Sequence, residues 1–364
     1  MTEPAVAAAP RSAESADCLV PATAVTPALR ADVQRRAGVV PGWLARIAPV
    51  PWIAHTLCDA MTKPGAYAPA HLCDLVALVV SQDNSCRYCY GAQRSVLKIQ
   101  GYGDEYLDRL LRDFHTADLS PAERSALDFA RHLSRSNPRP GPDEFATVVR
   151  AGLERTAVVE VVAVAAIASF TNRVSTLLAL PPEADLEGLV NQRLFRFVRP
   201  FVAWRMRSGR RPPESSPVPN EGLAARVVAA LGTSPFAGIV RRALDGALAS
   251  PILPRRTKGL MLAVIARALG CAHGEAECRQ LLAAEGLGAE LDGILATLTS
   301  PALDHRERRL VPFARETVRY QPAVIQRRIR EVCAGFTPEE TLESVGFLAL
   351  GNALCRLSVV LDAC

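Results

Sequence analysis

Ser85-Cys86-Arg87-Tyr88-Cys89-Tyr90-Gly91-Ala92-Gln93-Arg94 opens a helix that runs from about Asn84 to Gln100 and stops at Gly101. A glycine just past the last periodic residue is a helix-stop signal. Cys86 and Cys89 are three residues apart, so they share a face of this helix with about 5–6 Å between Cβ atoms. From there two thiols can close a disulfide or share a metal. A thiol at a helix start is also biased toward thiolate.

The same reading extends in both directions. Helices are expected over about Pro41–Met61 and Pro69–Gln82 before the dithiol and Asp104–Asp113 after it. Leu119-Ser120-Pro121-Ala122-Glu123 opens another: Ser120 is an N-cap, Pro121 sits at N1 and Glu123 completes a capping box. After the breaker Asn137-Pro138-Arg139-Pro140-Gly141-Pro142, a helix covers Asp143–Ala151 and a long apolar one covers about Thr156–Leu180. No strand pair with alternating pattern and hairpin turn is found. Aromatics make up 5% while Ala, Leu and Arg abound, which favours helices over strands. The predicted fold class is all-α.

The chain also repeats itself. Glu123-Arg124-x4-Phe129-Ala130-Arg131 recurs as Glu307-Arg308-x4-Phe313-Ala314-Arg315, and Gly101-x-Gly103-x-Glu105 as Gly286-x-Gly288-x-Glu290. Ala151-Gly152, Glu160 and Arg173-x-Ser175 recur as Ala334-Gly335, Glu343 and Arg356-x-Ser358, all at an offset of 183. A collinear series with slightly drifting offset is the signature of duplication with small loop changes. The expected organisation is a disordered tail over 1–26, a first helical unit over 27–182, a basic, Pro-rich connector over 183–220 and a second unit over 221–364. Glu160 and Glu343, which interrupt apolar runs, are expected to pair with the repeated Arg131 and Arg315.

Bulk properties bound the function. The 364 residues suffice for two domains; 49% hydrophobic and 22% charged content reads as globular, and a net charge of +5 gives no argument for nucleic acid. The N-terminus lacks the basic flank and apolar core of a signal peptide, and the longest apolar run, Ala157 to Phe170, is 14 residues and contains Glu160. A cytoplasmic protein is expected, in which spaced thiols are redox-active or metal-binding rather than structural. Gln192–Arg211 carries seven arginines with Phe195, Phe197, Phe201 and Trp204 interleaved and no acid nearby. It reads as a helix whose arginine stems pack between the two units, the sharper alternative being an anionic membrane surface or nucleic-acid backbone.

On these residues the chain resembles the alkylhydroperoxidase D-like and carboxymuconolactone decarboxylase superfamily. Its redox branch carries Cys-x-x-Cys at a helix start, a His four residues after the second Cys and a Glu twelve before the first. Here Cys86 and Cys89 fill the cysteine positions, Asp74 the Glu position and Gln93 the His position, and Tyr88 lies where some members carry a second His. The resemblance covers about residues 40–180 and, through the repeat, 221–362. It implies two tandem alkylhydroperoxidase D-like bundles and a peroxidase cycle. Cys89 attacks the peroxide, Cys86 resolves the sulfenic acid to a disulfide, and a lipoylated or thioredoxin-like dithiol partner resets the pair. Asp74, Gln93 and Tyr88 would surround them. No cofactor, metal, membrane or nucleic acid is expected, and a homo-oligomer is compatible.

Gln93 cannot titrate, which weakens the proton relay more than the disulfide. Two other readings therefore stay open: a non-enzymatic redox sensor or scaffold, and a decarboxylase-type activity. A zinc site from Cys86, Cys89, Cys73 and His71 would need neighbouring helices to converge. In the second unit Cys271 aligns with Cys86, but Gly274, Gly259 and Cys278 replace Cys89, Asp74 and Gln93. Cys271 and Cys278 are two turns apart, about 10 Å along the axis, too far to bridge. That unit is expected to be a structural partner of the first.

Overall fold

The computed structural model describes residues 18–62, 65–137, 139–192, 194–209 and 223–361, and among these it is helical with no strand. Most of the expected N-terminal tail lies outside the described residues. Its last part is tied down: Leu19 N donates to Leu178 O (2.9 Å) and Thr23 N to Ala45 O (2.7 Å).

Helices α1 (Pro27–Ala37), α2 (Leu44–Ile47) and α3 (Pro51–Thr62) lead in. The single helix expected over Pro41–Met61 is two, because Pro51 lacks the N–H that would continue the ladder and starts a helix instead. Then follow α4 (Ala70–Asp83), α5 (Arg87–Gln100), α6 (Asp104–Arg112), α7 (Pro121–Arg135), α8 (Pro142–Arg150) and α9 (Arg155–Leu178). The capping box at Ser120 and Glu123 is present, and Gly101 closes α5 at φ 113°. α10 (Ala184–Val190) and α11 (Phe195–Gly209) follow. The C-terminal half comprises α12 (Ala225–Leu231), α13 (Pro235–Ala249), α14 (Arg255–Leu269), α15 (Ala272–Ala284), α16 (Leu291–Thr297), α17 (Glu307–Glu316), α18 (Pro322–Val332) and α19 (Pro338–Leu361).

In the N-terminal half α4 packs on α5, α7 and α9; in the C-terminal half α14 packs on α15, α17 and α19. The long helices α9 and α19 pack on each other at the centre. Both reach 24 residues and are apolar enough to cross a membrane by length and composition. Their apolar windows are 89% and 94% buried within the fold, so here they serve as core helices.

Residues 183 apart exchange matching bonds across this seam. Arg173 donates to Thr317 O (3.0 Å) and Ser169 O (3.2 Å); Arg356 donates to Ser134 O (3.2 Å) and Asn352 O (3.1 Å). Both guanidinium groups also reach Val318 O, each at 3.0 Å. Each arginine of one half thus caps the last carbonyls of a helix in the other, where the negative end of the helix dipole offsets a buried positive charge. The two repeated glutamates also cross the seam, but not to Arg131 and Arg315 as expected. Glu160 accepts the N–H groups of Ala66 (2.9 Å), Tyr67 and Ala68 (both 2.8 Å) and the Ser234 hydroxyl (2.8 Å). Glu343 pairs with buried Lys258 (2.7 Å) and accepts from Trp52 Nε1 (2.7 Å). Arg131 instead turns to Asp83 and lies over the Phe114 ring. A carboxylate this deep needs partners within reach, and each takes donors from its own half and one from the other, Ser234 for Glu160 and Trp52 for Glu343.

Among the described residues the arginine-rich segment lies on the first half, beside the helix that carries the thiols. α10 and α11 both lie on α5, where Phe195 and Ala203 cluster with Ile99 and Val190.

Candidate active site: a dithiol at the start of a helix

α4 and α5 are joined by a sharp reversal in which Ser85 takes a positive φ of 50° and Cys86 N bonds back to Ser81 O at 3.0 Å. That turn delays the helix to Arg87 and leaves Cys86 as its N-cap with extended backbone. The Cys86 sulfur takes the role a Ser or Asp side chain usually has there: it accepts the backbone N–H of Cys89 at 3.4 Å. Cys89, one turn on, has its sulfur 3.5 Å from Ser175 Oγ and 3.9 Å from Thr171 Oγ1 of α9. Both thiols are free cysteines, exposed by only 2% and 5%.

The two thiols are driven apart in acidity. Burial pushes Cys86 up, but hydrogen bonds from the Cys89 thiol, from the N–H groups of Cys89 and Tyr88 and from Thr176 outweigh it and hold Cys86 below the ordinary thiol value. Cys89 is held well above it, first by burial and then because its proton is committed to Cys86. One proton is shared by two sulfurs, and the helix N-terminus stabilises the negative charge on the first of them. The backbone donor at the helix start faces the Cys86 sulfur, whereas the sequence expectation gave the attacking role to Cys89.

The other expected site residues divide. Tyr88 is beside the pair: its hydroxyl donates to Glu183 Oε1 at 2.8 Å, and burial followed by that carboxylate raises it well above the ordinary tyrosine value. Gln93 lies one turn beyond Cys89 on the same helix, half-buried. Asp74 is elsewhere. It is fully buried and accepts from Gln100 Nε2 at 2.6 Å, near the far end of α5. Gln100 is eleven residues beyond Cys89, about 16 Å along the helix axis. The reason is topological: α4 runs antiparallel to α5, so a residue twelve before Cys86 is carried away from the thiols. The two arginines near the thiols on α5 are engaged with acids, Arg87 with Glu187 (2.9 Å) and Arg94 with Asp104 (2.8 Å) and Asp108 (2.7 Å). The Cys89 thiol and the N–H groups at the helix start are left as the main sources of acidity.

Several site residues escaped the sequence reading. Thr171, Ser175 and Thr176 stand together near the end of α9. Their i, i+4 spacing was the available signal for Thr171 and Ser175. Glu183 comes from the connector and also accepts Gly42 N at 2.9 Å. Tyr320 comes from the C-terminal half. Its hydroxyl is buried beside Thr176 and the thiols, and Arg173 lies over its ring at 5.4 Å. No local pattern announces these two.

At the equivalent place in the C-terminal half, Cys271 N-caps α15 without a side-chain bond to the helix. Gly274 occupies the second thiol's position, where a Cβ would lie 2.9 Å from Cys271 Sγ. The Cys271 thiol meets Cys355 of α19 instead, and that contact, followed by burial, holds Cys355 well above the ordinary thiol value. His273 is paired with Glu277 at 3.2 Å. His71 is likewise taken, by Glu123 at 2.7 Å, and among the described residues no group of three or more His, Cys, Asp or Glu side chains is arranged to hold a metal.

No protein-family model matches this chain, and no curated protein matches it in sequence.

Proposed function

We propose that the chain is a thiol-dependent peroxidase built from two alkylhydroperoxidase D-like units, with chemistry confined to the first. The observation that carries this reading is the Cys86 sulfur at the N-cap of α5, accepting the Cys89 N–H with the Cys89 thiol one turn away. The matching Arg173 and Arg356 bonds support the duplication.

The Cys86 thiolate attacks one oxygen of the peroxide. An S–O bond forms, the O–O bond breaks, and the leaving alkoxide or hydroxide takes a proton to become alcohol or water. Cys86 is then a sulfenic acid. The Cys89 sulfur attacks it, the S–O bond breaks, water departs, and a Cys86–Cys89 disulfide remains. A dithiol partner, lipoylated or thioredoxin-like, reduces this disulfide by exchange and is itself oxidised. Glu183 and Tyr88 supply a carboxylate and a phenol beside the thiols, groups that can pass protons where Gln93 cannot. The near-complete burial of both sulfurs favours a small peroxide over a bulky one.

That burial also favours a second reading, a sensor oxidised once and reset slowly. One experiment separates them. Intact mass and peptide mapping after stoichiometric hydrogen peroxide should show loss of two hydrogens at Cys86–Cys89, reversed by dihydrolipoamide. Multiple turnovers with excess reductant support the peroxidase, and a single slow oxidation supports the sensor. Oxidation no faster at this pair than at half-buried Cys18 would sink both.

A further inference from the structure

At the seam the ends of α4 and α7, the helix α9 and the turn between α17 and α18 meet around a cavity of about 260 Å³. Asp83, Asn84, Arg135, Arg173, Arg319 and Tyr320 are among its lining residues, so both halves contribute to it. Asp83 is the one acid in the lining and is already taken. Arg135 Nε donates to its Oδ1 at 2.7 Å, and Arg131 Nε lies 3.6 Å from the same oxygen.

The other arginines have no such answer. Arg173, 1% exposed, bonds to the Ser169, Thr317 and Val318 carbonyls, and Arg319 gives one bond, to Ser136 O at 2.7 Å. Arg356, equally buried, bonds to the Ser134, Val318 and Asn352 carbonyls and the Asn352 side chain. Among the described residues none of the three pairs with a carboxylate. They are also close enough to repel one another: burial first, and then the charge of Arg173 with a smaller part from Arg319, holds Arg356 well below the ordinary arginine value. Carbonyl dipoles offset part of this positive charge, but they bring no counter-charge. A guanidinium fork fits two oxygens of one anion, and Arg319 keeps donors beyond the one it gives to Ser136. Sites for drug-sized ligands begin near about 300 Å³, so this cavity suits a small ion. We propose that the seam cavity binds a small oxyanion, a phosphate or a short dicarboxylate, held by Arg173 and Arg319 with Arg135 beside it. This stands independently of the redox reading, since neither Cys86 nor Cys89 lines the cavity.

Calorimetric titration of the full chain tests it, with inorganic phosphate and malonate as probes and chloride at equal ionic strength and uncharged malonamide as controls. Expected are one saturable site per chain for phosphate, malonate or both, and a melting midpoint raised by whichever binds. Chloride and malonamide should give neither. Arg319→Gln, at an exposed position, should weaken binding about tenfold or more while keeping the circular dichroism. Asp83→Asn, which releases Arg135 and Arg131, should tighten binding several-fold. The two variants move affinity in opposite directions, so damage to the fold cannot imitate the pair. The proposal is overturned if neither oxyanion gives a saturable site or if chloride does as well as they do. It is also overturned if Arg319→Gln leaves affinity unchanged or if both variants shift it the same way.

Discussion

The starts of α5 and α15 are the same backbone device with different side chains. Each follows an apolar helix, begins with a cysteine at the N-cap and packs near the end of a central helix. At α5 the second sulfur is present and α9 offers Thr171, Ser175 and Thr176; at the corresponding positions of α19, 183 residues later, stand Leu354, Ser358 and Val359. At α15 the second sulfur is replaced by Gly274, and Cys271 turns to Cys355. The comparison separates what positions a thiol from what makes it acidic. A helix N-terminus and a neighbouring thiol are common to both halves; the second sulfur one turn along the same helix and the hydroxyls of Thr171 and Thr176 are not.

Removing the first sulfur should have the largest effect. Cys86→Ser is expected to abolish the peroxide-driven loss of two hydrogens and all turnover, whereas Cys271→Ser leaves both unchanged, as read by intact mass and peroxide consumption. The seam should respond next. Lys258→Met strands the buried Glu343 carboxylate and is expected to cost about 3–5 kcal/mol in denaturant unfolding. Recovery of most of that stability in Lys258→Met/Glu343→Gln would assign the loss to the stranded charge.

A smaller effect should come from importing the poorer half's chemistry. Thr176→Val, which copies Val359, removes one stabilising contact and should raise Cys86, slowing its alkylation by iodoacetamide at neutral pH several-fold. In the parent, the alkylation rate should rise with pH through a midpoint below the ordinary thiol range, with one proton lost per pair. Because Cys86 is depressed, its contribution to stability is present above its unfolded value and lost as pH falls through its folded one. Cys89 is raised, so its contribution is lost in the opposite direction, as alkali removes the second proton. A single midpoint at the ordinary thiol value would remove the acidity argument. The smallest change is Tyr88→Phe, expected to leave Glu183 with one donor fewer and to cost about 1 kcal/mol in unfolding.

Local chemistry made most of the fold legible. Ser120, Pro121, Glu123 and Gly101 act within a turn of themselves, so their helix boundaries could be read directly. The start of α5 could not, because it is set by Ser85 in the left-handed region, and serine does not advertise that conformation. Cys86 and Cys89 were visible from spacing alone. Asp74 was misplaced because counting back along the chain ignores the reversal between α4 and α5. Glu183 and Tyr320 reach the thiols from 94 and 231 residues past Cys89, distances over which sequence pattern carries no information.

The exchanged arginines have a consequence for how the protein would respond to a cut. Each half holds the other's helix ends from inside, so the covalent link across residues 210–222 is not what keeps them together. A protease nick there should leave two fragments that elute as one particle and melt in one transition. Expressed separately, each fragment would carry a bare guanidinium and an uncapped helix end where the other half belongs.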